Sequence, residues 1–168
     1  MLAHPPVTAT SDSPGRTRAL GAALAPHLQP GDVVLLSGEL GAGKTVLVPG
    51  IAAGLGVDEP ATSPTFALVH EHQGVRLRLL HADAWRLASP EEAVDLALAE
   101  EVDDGSTALV VEWGELAAAA LPGDHLRVVL QPGAGEEDRT LALFLEGPSW
   151  EARRDRLLAA LPTAGGAA

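Results

Sequence analysis

The sequence predicts an α/β fold in three layers, a mainly parallel sheet between helices, with antiparallel hairpin additions. Three observations predict it. Apolar runs of strand length alternate with stretches of helical periodicity through the first half of the chain, as parallel strands joined by crossover helices require. The glycine-rich segment "GELGAGKT", residues 38–45, lies directly between such a strand and such a helix. Two further pairs of extended segments, each interrupted by a turn, read as hairpins.

The elements follow in order. Residues 1–12 are rich in Pro, Thr and Ser and read as a loose terminus; residues 13–161 form one domain, and 162–168 a loose tail. Ser13 is placed to cap a helix with Pro14 at its first position, and Pro30-Gly31 closes that unit. Val33–Ser37 is a buried strand that feeds the glycine-rich segment, and "VLVPGIAAGLG" is the helix behind it, closed by Gly54 or Gly56. "FALVHEH" and "VRLRLLHAD" flank Gln73-Gly74 as a hairpin. Ser89-Pro90-Glu91-Glu92 is a capping box that predicts a helix to about Leu98. "TALVVEWGE" is a second buried strand ending in acids. After it come a short Ala-rich helix, strands at "LRVVLQ" and "RTLALFLE" joined by "PGAGEED", and a final amphipathic helix "SWEARRDRLLAAL".

Gly38, Gly43, Lys44 and Thr45 complete the phosphate-loop pattern in its strand–loop–helix setting, so the fold is of the P-loop NTPase type. Glycines let the backbone curl until successive N–H groups point at phosphate oxygens, and the helix that follows adds its positive N-terminal end. Gly38, Glu39, Leu40, Gly41, Ala42, Gly43, Lys44, Thr45 and Val46 form the candidate nucleotide-binding run. Lys44 would reach the β and γ phosphates, and the Thr45 hydroxyl would ligate Mg²⁺.

Phosphoryl chemistry also needs acids beyond the loop, and strand ends are where to look. Ala108–Val111 terminates in Glu112, either a metal-side acid or a solvated strand end. Asp83 ends the second hairpin strand and is either a second acid or the N-cap of "AWRL". His70, His72 and His81 invite a metal reading, but the compact further ligands of a structural zinc site are missing. Arg76, Arg78 and Arg86 could form the arginine-rich lid of a small-molecule kinase. More simply, Arg76 and Arg78 line the wet face of a hairpin strand.

Taken in order, "GELGAGKT", "SPTFALV", "HADAWRL" and "VVEWGE" resemble the TsaE family, small bacterial ATPases needed to make threonylcarbamoyladenosine beside the anticodon of tRNAs. The resemblance spans roughly Ser13 to Glu146. It implies ATP and Mg²⁺ as cofactors, TsaD and TsaB as partners that carry out the transfer, and tRNA reached only through them. By position, it implies that Gly41 to Thr45 hold the phosphates, that Glu112 ligates Mg²⁺ directly or through water, and that Asp83 supports the metal or orients the attacking water. Thr65, in Ser63-Pro64-Thr65, falls in a switch-like loop able to sense the γ phosphate. Trp113 matches a tryptophan near the nucleotide, with core packing as its other reading. Thr17 and Arg139 match further nucleotide contacts.

The chain departs from the family at several places. Val46 follows the loop, Pro49 replaces a basic residue, Ala84-Trp85 stands where Leu-Tyr is usual, and Glu39 replaces an Asp. None of these changes the atoms expected to hold phosphate.

Composition narrows the function further. With 11 basic against 23 acidic residues, for a net charge of −12, this surface is unsuited to gripping a nucleic-acid backbone alone. There is no Cys, no secretory leader and no apolar run of membrane-spanning length, so a soluble cytoplasmic protein is expected. No Asn-Lys-x-Asp segment follows the loop, which disfavours a GTPase. A small-molecule or nucleoside kinase and a non-hydrolysing nucleotide switch remain as alternatives to an ATPase.

Overall fold

Val33–Ser37 forms the strand the sequence predicts, β2, and its four leading residues are fully buried because both faces of the sheet are covered around it. The structure, a computed structural model, describes residues 4–58, 68–87, 89–95 and 97–161. The remaining strands are β1 (Val7–Ser11), β3 (Val69–Gln73), β4 (Arg78–Asp83), β5 (Thr107–Glu112), β6 (His125–Pro132) and β7 (Arg139–Glu146). Their spatial order is β1-β7-β6-β2-β5-β4-β3. The four inner strands β6, β2, β5 and β4 run parallel, while β3, β7 and β1 are added antiparallel at the margins.

The helices are α1 (Pro14–Leu24), α2 (Lys44–Gly54), α3 (Pro90–Asp95), α4 (Leu98–Val102), α5 (Pro148–Glu151) and α6 (Arg154–Ala160). One face of the sheet packs Val34, Leu36, Val110 and Val128 against α1, α2 and α6, around Leu20, Leu47, Ile51 and Leu157. The other face is thinner, with Leu35, Leu80, Leu109 and Val111 covered by Leu98 and Val102 of α4 together with Ala117 and Leu121.

Ser13 caps α1 as expected, its Oγ accepting from Arg16 N–H at 3.1 Å. Helix α2 ends in a Schellman arrangement around Gly56, with Val57 N–H bonded to Ala52 O and Gly56 N–H to Ala53 O. Helices α1 and α2 approach until backbone meets backbone. A Cβ on Gly21 would lie 2.5 Å from Leu47 O, and one on Gly50 would collide with Arg18 O.

Four expectations are corrected. Residues 7–11, read as part of a loose terminus, form β1, because Val7 and Ala9 bury against the core while the backbone pairs with Leu143 to Arg139 of β7. The helix expected from Pro90 to Leu98 is two helices, since Ala97 is left-handed at φ 53° and turns the chain so that Leu98 and Val102 face the sheet. The Ala-rich helix is a pair of 3₁₀ turns, Gly114–Leu116 and Ala118–Ala120. The final helix is broken between α5 and α6, where Arg153 turns inward to meet Asp32. The tail 162–168 lies outside the described residues, and among those described no helix is long and apolar enough to cross a membrane.

Candidate nucleotide site

The loop Gly38–Gly43 leaves the carboxyl end of β2, and α2 begins immediately after it at Lys44. Two glycines are demanded by the geometry. Gly38 has φ +147°, and a Cβ there would sit 2.6 Å from Leu130 O of β6. Gly43, at φ +104°, is the left-handed residue that turns the chain into α2. The first amides of α2 have no carbonyl one turn earlier to bond, so they face the loop's concavity as donors. Arg139 of β7 pins the loop from outside, Nη2 donating to Gly41 O at 3.2 Å and Nη1 to Glu136 O and Asp138 O.

Lys44 is the centre of the site. Its Nζ donates to Gly38 O, and to Glu39 O at 3.1 Å, and lies 3.8 Å from the centre of the Trp113 ring. Burial pushes the Lys44 ammonium below its ordinary value, against the opposing pull of Glu112, Glu115 and Asp83. Trp113 takes a left-handed backbone, φ 56°, a conformation that costs a non-glycine residue roughly 1–2 kcal/mol. That turn lays its indole under Lys44 and against Trp85, at 4.6 Å between ring centres. Gly114 follows because a side chain there would strike Leu35.

The acids stand where the parallel strands end. Asp83 of β4 is directly opposite Glu112 of β5, which is opposite Leu36 of β2 just before the loop. Asp83 Oδ1 accepts from Trp85 N–H at 3.0 Å, so the capping reading of this residue holds beside its place next to Glu112. Glu112 is buried, and its Oε2 lies 2.6 Å from His81 Nε2. Glu115 accepts from Ser37 Oγ at 2.8 Å.

Two cavities adjoin the loop and share Arg139. One of about 350 Å³ is lined by Thr17, Gly41, Gly43, Thr45 and Val46. Another of about 580 Å³ opens beside it, between Ser11, Asp12 and Arg16 on one side and Gly133, Asp138 and Thr140 on the other. Their sizes lie in the range of small-molecule sites.

The chain matches the family model described as "Threonylcarbamoyl adenosine biosynthesis protein TsaE" over residues 11–141. The chain belongs to the TsaE family. It is similar to the tRNA threonylcarbamoyladenosine biosynthesis protein TsaE of Bacillus subtilis, with 36% identity over 139 residues that cover 83% of this chain and 85% of the relative. The TsaE of Treponema pallidum is 46% identical over 116 residues, 68% of this chain and 84% of its own. A crystal structure of Bacillus subtilis YdiB superposes with a TM-score of 0.75 at 30% identity, covering 94% of this chain and 96% of that one. As a TsaE, the chain has the family's role in the biosynthesis of threonylcarbamoyladenosine in tRNA.

The residues singled out by the TsaE resemblance largely gather in one place. Gly38 to Val46, Asp83, Glu112 and Trp113 all lie at the carboxyl ends of β2, β4 and β5, and Arg139 reaches the loop from β7. Thr17 lines the cavity at the loop, but its hydroxyl is buried and donates to Ser11 Oγ at 2.8 Å. Thr65 lies outside the described residues. Two arginines of the lid reading lie elsewhere: Arg76 donates to Leu28 O and Ala25 O, and Arg78 pairs with Glu71, Glu101 and Asp104. Arg86 ends the short turn Ala84–Arg86 that follows Asp83. Among the described residues no three His, Cys, Asp or Glu side chains gather to hold a metal ion unaided. A hydroxyl and one or two carboxylates suit Mg²⁺ nevertheless, since that ion takes its remaining oxygens from phosphate and water.

Sequence reasoning considered His81 only as a zinc ligand. The signal for its actual partner was its position two residues before Asp83 on one strand face, which a parallel neighbour ending in Glu112 places diagonally from that acid.

Proposed function

We propose that this TsaE is a Mg²⁺-dependent ATPase that acts with TsaD and TsaB in transferring the threonylcarbamoyl group to tRNA adenosine. The observation that carries the reading is the buried Lys44, poised at a complete phosphate loop with Asp83 and Glu112 level on the strands beside it. The loop amides and Lys44 bind the β and γ phosphates and offset charge as the γ phosphoryl group leaves. Thr45 and Glu112 would hold Mg²⁺, with Asp83 beside them, and the ion when bound supplies positive charge at the phosphate oxygens. Water attacks the γ phosphorus in line, the bond to the β-phosphate oxygen breaks, and ADP, phosphate and a proton result. Asp83 would orient that water. Arg139 and the paired cavities would take the ribose and base.

A partner-facing role has its own support. Leu40, Trp85 and Leu116 are apolar, exposed, and all follow carboxyl ends of parallel strands, so a protein docked there would meet the nucleotide. The net charge of −12 favours tRNA reached through such a partner over direct binding.

The test is phosphate release from ATP with Mg²⁺, by the chain alone and with TsaD and TsaB, repeated with Lys44→Ala. Release that rises with the partners and is lost in Lys44→Ala is expected. Phosphate appearing only on an added small acceptor would replace the reading by a kinase.

A further inference from the structure

Glu112 is held by a neighbour that the proposed mechanism does not use. His81 pairs in register with Val110 on β5, so it lies diagonally across from Glu112 on the same sheet face. Both residues are almost wholly buried, 1% and 3% exposed, and Nε2 stands 2.6 Å from Oε2. Where the carboxylate is ionised it offers only lone pairs, and the ring then donates from Nε2.

The other ring nitrogen is the informative one. Nδ1 of His81 is buried with no hydrogen-bond partner among the described residues. A histidine that merely knitted the core together would use both nitrogens, because a buried unpartnered polar atom is destabilising. Here the ring commits its hydrogen bonding among these residues to one oxygen of one acid. An apolar side chain would fill the same space without that penalty, and it would leave Glu112 free to rotate.

We propose that His81 is a positioning residue for Glu112. By holding Oε2 it limits the rotation of the carboxylate and leaves Oε1 as the oxygen with which Glu112 would ligate Mg²⁺. The inference rests on the reading of Glu112 as the metal-side acid. Carboxylates that ligate metals are themselves commonly hydrogen-bonded, and losing such a support weakens metal binding by roughly 10–100-fold. Asp83, by contrast, is engaged at Oδ1 by the backbone amide of Trp85.

The test uses Mn²⁺ as the metal probe, its binding to the full chain with ADP followed by electron paramagnetic resonance. The chain is compared with His81→Leu, His81→Gln and Glu112→Ala, and ADP affinity without metal is measured for each. His81→Leu is expected to weaken Mn²⁺ by about 10-fold or more with metal-free ADP affinity unchanged, and His81→Gln, which keeps a donor near the place of Nε2, to recover most of the loss. Mn²⁺ affinity in His81→Leu within about twofold of the parent, or equal losses in the Leu and Gln variants, would overturn the positioning role. Undiminished Mn²⁺ affinity in Glu112→Ala would instead overturn the metal-side assignment on which it rests. If His81→Leu does not fold, the parent decides: Mg²⁺ added to the ADP-bound chain must shift the His81 ring ¹⁵N resonances, and unmoved resonances refute the proposal.

Discussion

Asp32→Ala should be among the costlier single changes outside the nucleotide site. Asp32 precedes β2, and its carboxylate takes Arg153 in a two-pronged pair, Nη1 to Oδ2 at 2.5 Å and Nη2 to Oδ1 at 2.9 Å, with both side chains under a tenth exposed. The same carboxylate accepts Gln29 N–H at 2.7 Å. The substitution removes two charge-assisted bonds worth about 1.5–3 kcal/mol each and strands a backbone donor. Breaking a buried pair typically costs about 3–5 kcal/mol. The low end applies here, because Arg153 keeps His27 O, Ser149 O and Ser149 Oγ as acceptors and still stacks on Trp150. A loss of about 3 kcal/mol lowers the melting temperature of a chain this size by roughly 6–12 °C. Urea unfolding followed by tryptophan fluorescence measures it, with the slope unchanged and the midpoint shifted. Nucleotide affinity should hold, since β2 separates the pair from the loop by roughly 16 Å at about 3.3 Å per residue. A loss under about 1 kcal/mol would refute the reasoning. So would failure of Asp32→Leu with Arg153→Met to recover most of the stability, because apolar replacement of a buried pair is often neutral.

Gly50→Ala should cost about 1–3 kcal/mol by overpacking, because its Cβ would strike the backbone of Arg18 on α1, and chemical denaturation would show the loss. The Asp104 carboxyl is held below its ordinary value by Ser106 N–H and the Thr107 hydroxyl, so its contribution is present above about pH 4 and is lost as pH falls through the lowered value. Asp104→Asn should therefore flatten the acid limb of a stability–pH profile, and an unchanged limb contradicts the assignment. Burial lowers Lys44, so ADP affinity, read from Trp113 fluorescence, should start to fall with rising pH before the ordinary lysine value is reached. The sign for the free chain is opposite: the unfolded state holds the Lys44 proton more tightly, so folding is favoured as pH rises between the two values.

The parts of the fold that could be read in the sequence are those fixed by local chemistry. Residues 33–36 are apolar throughout because both faces of the strand are buried there, and the loop after it is fixed by glycines whose backbone angles admit little else. The Val7–Ser11 strand was hidden because "VTATS" alternates over only five residues with small side chains and follows two prolines. Its strand character comes from pairing with residues more than a hundred positions later. Missing β1 also obscured Thr17, whose hydroxyl is taken by Ser11 at the end of that strand. The helix breaks at Ala97 and Arg153 interrupt sequences of unbroken helical periodicity. The first follows from where Leu98 and Val102 must be buried, and the second from the demand of Asp32 for a partner. His81 had the right residue type in view, but its partner is 31 residues away and depends on β4 and β5 lying parallel in one register.

Pro49 shows how a departure from the family can sit in α2 without unmaking it. An interior proline typically costs ~3 kcal/mol, because it removes a donor and crowds the carbonyl four residues earlier. Here that carbonyl belongs to Thr45, the second residue of α2, which is exposed, so water can supply the lost hydrogen bond. The helix continues to Gly54, and Pro49 itself is only half-buried. The neighbouring Gly50 makes the other half of the case. Gly21, Gly50 and Gly54 let α1 and α2 pack backbone to backbone, which fixes the axis of the helix that carries Lys44 and Thr45. Rigidity that an unbroken hydrogen-bond ladder would have given is thus supplied from α1. The basic side chain usual at position 49 is lost while the phosphate-holding end of α2 stays where the loop needs it, so the substitution should alter what the outer face of α2 can meet and leave the nucleotide grip intact.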